Sequence, residues 1–136
     1  VVLPLLDYDL AALLRDIAAD ELQLNRVPLH DANAVCVVIA SNGYPDAYET
    51  GKAVAGLDGI DEAAEGVVVF HSGTAQRGSS IVTAGGRVFG VTALGQDKDF
   101  ATTIRLAYNA VSRIRFDGAY YRMDIGKKAL SFFNEP

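Results

Sequence analysis

Three short segments of the 136-residue chain carry residue types that could handle a small anionic ligand. The first is Gly85-Gly86-Arg87. Paired glycines let the backbone turn tightly and let a ligand reach bare N–H groups. An arginine on the strand that follows offers a two-pronged donor fork to a phosphate. The same spacing also describes a plain Gly-Gly hairpin with an exposed arginine. The second segment is Ser41-Asn42-Gly43-Tyr44-Pro45, where small polar residues leave an apolar run and enter a turn. Loops carried on rigid strands often hold binding groups, and ordinary turns have the same composition. The third, Tyr121-Arg122-Met123-Asp124-Ile125-Gly126, sets Arg122 and Asp124 two residues apart. In an extended segment both point to one side. They could face a substrate or a neighbouring domain, or fix the tail as an ion pair.

Other chemistries lack their residues. A phosphate loop ending at Gly51-Lys52 needs glycine at position 46, which is Asp46, and no dinucleotide-type G-x-G-x-x-G follows a strand. His30 and His71 lie far apart without metal-ligand spacing. There is no G-x-S-x-G elbow for a serine hydrolase. Asp58, Asp61, Glu62 and Glu65 read as a solvated face with no calcium-loop spacing. The chain therefore offers no catalytic and no metal-ligating residue. Cys36, the single cysteine, reads as a small buried hydrophobe; alone it makes no disulfide, which suits a reducing compartment.

The elements that must position these segments follow from periodicity. Leu10, Leu13, Leu14, Ile17 and Ala18 form the stripe of a first helix, with Asp7 or Asp9 as cap. Asn25 to Asn33 is a polar connector, and the domain boundary is placed there. Ala34 to Ala40, apolar without alternation, predicts a strand buried on both faces. Lys52–Ala55 reads as a short strand and Gly59–Gly66 as a turn or small helix. Val67–Phe70 is a strong strand that Arg77-Gly78-Ser79-Ser80 is expected to join, as a hairpin, to Ser80–Thr83. Gly85-Gly86 then turns into a strand over Arg87–Ala93. Asp97 is expected to cap a helix whose stripe is Ile104, Ala107, Tyr108, Val111 and Ile114. The order predicts an α+β fold, a mostly antiparallel sheet with flanking helices.

Half of the residues are hydrophobic, enough for a core, and the net charge is -5. That balance argues against a nucleic-acid partner, and no apolar run reaches the length of a membrane span. No signal peptide is visible. The chain opens without Met inside an apolar segment, Val1-Val2-Leu3-Pro4, as a fragment would.

Four ordered segments, AVCVVIASNGYPDAYETG, GVVVFHSGT, TAGGRVFGVTALG and RFDGAYYRMDIG, resemble the C-terminal domain of the phosphoribosylamine–glycine ligase (glycinamide ribonucleotide synthetase) family. The resemblance runs from about residue 33 to 126. Asn42 and Asp46 stand where that family usually has glycine, and Thr50 where it has lysine. The resemblance implies a C-terminal domain over 27–136, similar to that of biotin carboxylase-type ATP-grasp enzymes, preceded over 1–26 by the last helix of an ATP-grasp domain. It implies a cytoplasmic parent that joins glycine to 5-phosphoribosylamine through glycyl phosphate, with ATP and Mg²⁺ or Mn²⁺ bound outside this chain. The implied partners are those two substrates and the missing N-terminal and ATP-grasp domains. By the same resemblance Arg87 would bind substrate phosphate, with Gly85 and Gly86 shaping the approach. Ser41 and Gly43 rank second, and Arg122 and Asp124 third.

Overall fold

The computed structural model describes residues 1–95 and 99–133. Two sheets and four α-helices follow one another as α1 (Leu10–Ala18), β1 (Asn33–Ser41), α2 (Glu62–Glu65), β2 (Val67–His71), β3 (Thr74–Arg77), β4 (Ser80–Thr83), β5 (Arg87–Gly95), α3 (Phe100–Val111), β6 (Ala119–Tyr120) and α4 (Lys127–Phe133). The main sheet has the order β2-β5-β1-β6 with every pairing antiparallel. The α+β reading and the antiparallel sheet are therefore correct. Among the described residues no helix is long and apolar enough to cross a membrane.

The core forms where α3 lies across one face of this sheet. Val35, Val37 and Ile39 of β1 face Val91, Ala93 and Phe89 of β5 and meet Ala107, Ala110 and Val111 of α3. The small side chains of Ala107 and Ala110, both fully buried, let the helix approach the strands closely. Asp99 starts α3 by accepting from the Ala101 amide at 3.1 Å. Asp97, expected in that role, lies outside the described residues.

The expectation of a β1 buried on both faces is corrected. Helix α3 covers one face only, so the Cys36–Val38–Ala40 face stays open, and Val38 is 42% exposed. An antiparallel sheet needs cover on one side only. The hairpin at Arg77–Ser80 exists, yet it joins β3 to β4 in a separate two-stranded ribbon, and β2 pairs with β5 instead. The Ser72-Gly73 break ends β2 before the hairpin begins. Lys52–Ala55 runs beside β4, with the Val54 amide donating to the Ile81 carbonyl at 2.9 Å, but makes only isolated bridges, not a strand.

One irregularity decides which way Arg87 faces. Phe89 pairs with Ile39, whereas Arg87 pairs with Ala40, so Val88 is an extra residue in β5. Val88 and Phe89 are both fully buried in succession. Such a β-bulge reverses the inside–outside alternation on one side of itself. Without it Arg87 would share the core face of Phe89. With it Arg87 shares the open face of Ala40.

Candidate substrate-binding site

The open sheet face ends in a tight crossing of backbones. The Ser41 amide donates to the Gly86 carbonyl at 2.8 Å, and the Ser41 hydroxyl donates to the Gly85 carbonyl at 3.1 Å. Ser41 is buried, so its hydroxyl fixes the glycine pair. Gly73 crosses the same point: a Cβ there would come within 2.8 Å of the Gly85 Cα. At Gly86 a Cβ would run into the Tyr44 ring, which lies across that glycine. Among the described residues, neither the Gly85 nor the Gly86 amide donates a backbone hydrogen bond. Because β4 and β5 belong to different sheets, the Gly85-Gly86 turn is not a hairpin.

Arg87 leaves this crossing on the exposed side. Its guanidinium has neither a hydrogen bond nor an ion pair with any described residue. It stands between two recesses. Toward β2 lies a groove of about 610 Å³, lined by Phe70, Ser72 and Thr92 among others. Toward β6 lies a smaller cavity of about 280 Å³, lined mainly by Val38, Ala40, Tyr44, Tyr120 and Tyr121.

Arg122 also lines the smaller cavity but is engaged elsewhere. Its Nε and Nη2 donate to the two Asp124 oxygens at 2.9 and 2.6 Å, the paired geometry that the spacing allowed. The guanidinium holds the Asp124 carboxyl below its ordinary range, and the carboxylate raises Arg122 in turn. Tyr108 fastens the segment: its hydroxyl donates to the Arg122 carbonyl at 2.7 Å and accepts from the Ile125 amide at 3.0 Å. Arg122 and Asp124 thus satisfy each other beside Arg87, which stays free to meet an anion.

Gly43 shapes the turn that carries Tyr44. Its φ of 93° belongs to the left-handed region, and a Cβ would collide with the Ala47 carbonyl. A third recess, of about 430 Å³, opens beyond this turn between Ser41, Asn42, Tyr48 and Gly118. There the Lys52 ammonium bridges Glu49 at 2.6 Å and Asp117 at 3.3 Å, and the hydrogen bond to Glu49, then that to Asp117, raises its pKa.

The structure therefore brings Ser41, Gly85, Gly86 and Arg87 into one cluster and sets Arg122–Asp124 across the smaller cavity. Gly43 acts one step away, through Tyr44. Tyr44, Ser72, Thr92 and Lys52 also line these recesses and are not among the residues that sequence reasoning selects. Thr92 left a trace: it is the one hydroxyl in the run Val91-Thr92-Ala93-Leu94. Tyr44 lay inside the second segment, but its contact with Gly86 was not readable, because that partner is distant in sequence.

A family profile described as phosphoribosylglycinamide synthetase, C domain, matches residues 34–128. The phosphoribosylamine–glycine ligase of Synechocystis sp. is 48% identical over 130 residues, covering 95% of this chain and 30% of that protein. The trifunctional purine biosynthetic protein adenosine-3 of Gallus gallus is 39% identical over 137 residues, covering 99% of this chain and 13% of that protein. A crystal structure of phosphoribosylamine–glycine ligase from Thermotoga maritima is similar with a TM-score of 0.57 and 37% identity, over 68% of this chain and 21% of that one. The chain thus spans at most about a third of the length of these relatives, and the part it matches is the family's C domain.

Proposed function

The chain belongs to the phosphoribosylglycinamide synthetase C-domain family, and from that premise we propose that it is the substrate-gripping C-terminal part of a cytoplasmic, ATP-dependent ligase. The parent would activate the glycine carboxylate as glycyl phosphate and pass it to the amine of 5-phosphoribosylamine. The products would be glycinamide ribonucleotide, ADP and phosphate. The wider kinship with biotin carboxylase-type ATP-grasp enzymes belongs to the same reading. So does the assignment of residues 1–26 to the end of an ATP-grasp domain.

The observation that carries this reading is Arg87. A guanidinium without a partner among the described residues, turned outward by a bulge beside two glycine amides that donate no backbone hydrogen bond there, is suited to a phosphate. The neighbouring Arg122 is neutralised by Asp124, so one free positive charge is presented there. The residues do not fit a catalytic metal. Among those described, no group of three His, Cys, Asp or Glu side chains converges. In this reading Mg²⁺ or Mn²⁺, and the ATP they accompany, bind in the parts of the relatives that this chain does not span. What this chain would supply is positioning and charge neutralisation, which need no nucleophile–base pair.

In the intact ligase, Arg87→Ala is expected to raise KM for phosphoribosylamine about tenfold or more, the worth of a charge-assisted hydrogen bond, with the ATP and glycine constants unchanged. An unchanged phosphoribosylamine KM would reject the assignment.

A further inference from the structure

Gly90 occupies the middle of β5, three residues beyond Arg87, and nothing in the fold demands a glycine there. Its φ lies outside the left-handed region, and a Cβ would sit 3.5 Å from Cys36 Sγ and 3.9 Å from Phe70 Cβ, both ordinary contacts. A mid-strand glycine weakens a strand relative to alanine and often marks a place where another group comes close. Gly90 pairs with Val38 and Phe70, so its missing side chain would stand on the open face. It leaves a bare floor in the larger groove.

A second, independent observation lies in the same groove. Thr92 is fully buried, and its hydroxyl is the one buried side-chain polar atom among the described residues without a hydrogen-bond partner. It lines the groove beyond Gly90, on the side away from Arg87. Buried hydroxyls are almost always paired, so one left unpaired calls for a group that would pair with it. Along β5 this side of the sheet therefore carries a buried, unpaired hydroxyl, then bare backbone, then a free guanidinium. The smaller cavity on the other side of Arg87 is walled mainly by Val38, Ala40 and the tyrosines, and Arg122, which also lines it, is taken up by Asp124.

Resting on the ligase reading, we propose that the pentose of the pentose-phosphate substrate lies on the β2 side of Arg87, over Gly90. Its phosphate meets Arg87. A ring hydroxyl reaches Thr92 Oγ1 directly or through one water. Gly90 is then a specificity-determining residue, kept small to admit the sugar.

The test uses the intact ligase with phosphoribosylamine varied at saturating ATP and glycine. Gly90→Ala and Gly90→Val are expected to raise KM for phosphoribosylamine in order of side-chain size, at least tenfold for Val. The ATP and glycine constants stay unchanged, and the melting temperature of Gly90→Ala holds or rises. Thr92→Val is expected to raise the same KM at least threefold while the melting temperature holds or rises, which a merely structural threonine would not do. A folded Gly90→Val enzyme with unchanged KM overturns the proposal. Should that variant fail to fold, unchanged KM in both Gly90→Ala and Thr92→Val overturns it. If Arg87→Ala raises KM while the Gly90 and Thr92 variants are silent, the groove is rejected and the ligase reading stands. Silence of Arg87→Ala as well, or an intact protein without ligase turnover, rejects both.

Discussion

Gly86 and Tyr44 fit each other: the ring occupies the space where a Cβ would be. Gly86→Ala must displace the ring or the backbone beneath it. It is expected to cost about 1–3 kcal/mol, the usual penalty of overpacking, as read from denaturant melts of the chain. Adding Tyr44→Ala should recover part of that loss, because the two residues share one contact. At Arg87 the fork matters as well as the charge. Arg87→Lys keeps the charge and loses the paired geometry, so the phosphoribosylamine KM of the intact ligase should fall between those of wild type and Arg87→Ala. Some of these roles were readable from the chain alone. The Arg122–Asp124 pair follows from their spacing in an extended segment. The role of Ser41 does not, because its hydroxyl is held by a carbonyl 44 residues away.

Between elements, the joint of α2 with the end of α3 depends on charge. Arg113 donates to both Glu65 oxygens and to the Gly59 carbonyl, and Glu65 also accepts from the Asp61 amide. The hydrogen bond to Arg113, above all, holds the Glu65 carboxyl below its ordinary range. A depressed carboxylate contributes stability that is complete above its unfolded pKa and is lost as pH falls through the folded one. The melting temperature should therefore decline on acidification below about pH 4.3, the ordinary glutamate value. Glu65→Gln should flatten that decline; an equally steep fall in the variant would count against the joint. Helix α1, strands β1 and β5, the stripe of α3 and the β3–β4 turn were all legible from periodicity and turn residues. The bulge was not. In Arg87-Val88-Phe89 two apolar residues run together, and only the pairing with β1 shows which of them is extra. The separation of the β3–β4 ribbon from the main sheet was hidden for the same reason: strand partners are chosen across the fold, not along the chain.

At the scale of the molecule, α1 stands apart. Its stripe keeps Leu13 buried but leaves Leu14 56% and Ile17 52% exposed. The first residues pair with the connector, the His30 amide to the Leu5 carbonyl and the Asp7 amide to the Pro28 carbonyl, and Val1 reaches the groove of Phe70 and Gly90. The core residues, by contrast, run from Val35 to Phe116. A chain shortened to residues 27–136 should therefore still unfold cooperatively, with its melting temperature lowered by only a few degrees. Loss of a cooperative transition would argue against the boundary near residue 26. The 136-residue chain itself is expected to show no turnover of ATP, glycine and phosphoribosylamine, and measurable product would refute that division of labour. Finally, the extra residue at Val88 acts as a phase slip in the molecule's inside–outside code. Everything before it in β5 is written in one frame and everything after it in the other. Two relatives aligned with a gap placed a single position away would swap a core residue for a ligand-facing one on paper. A β5 grafted into another sheet without its slip would carry its arginine into the oil.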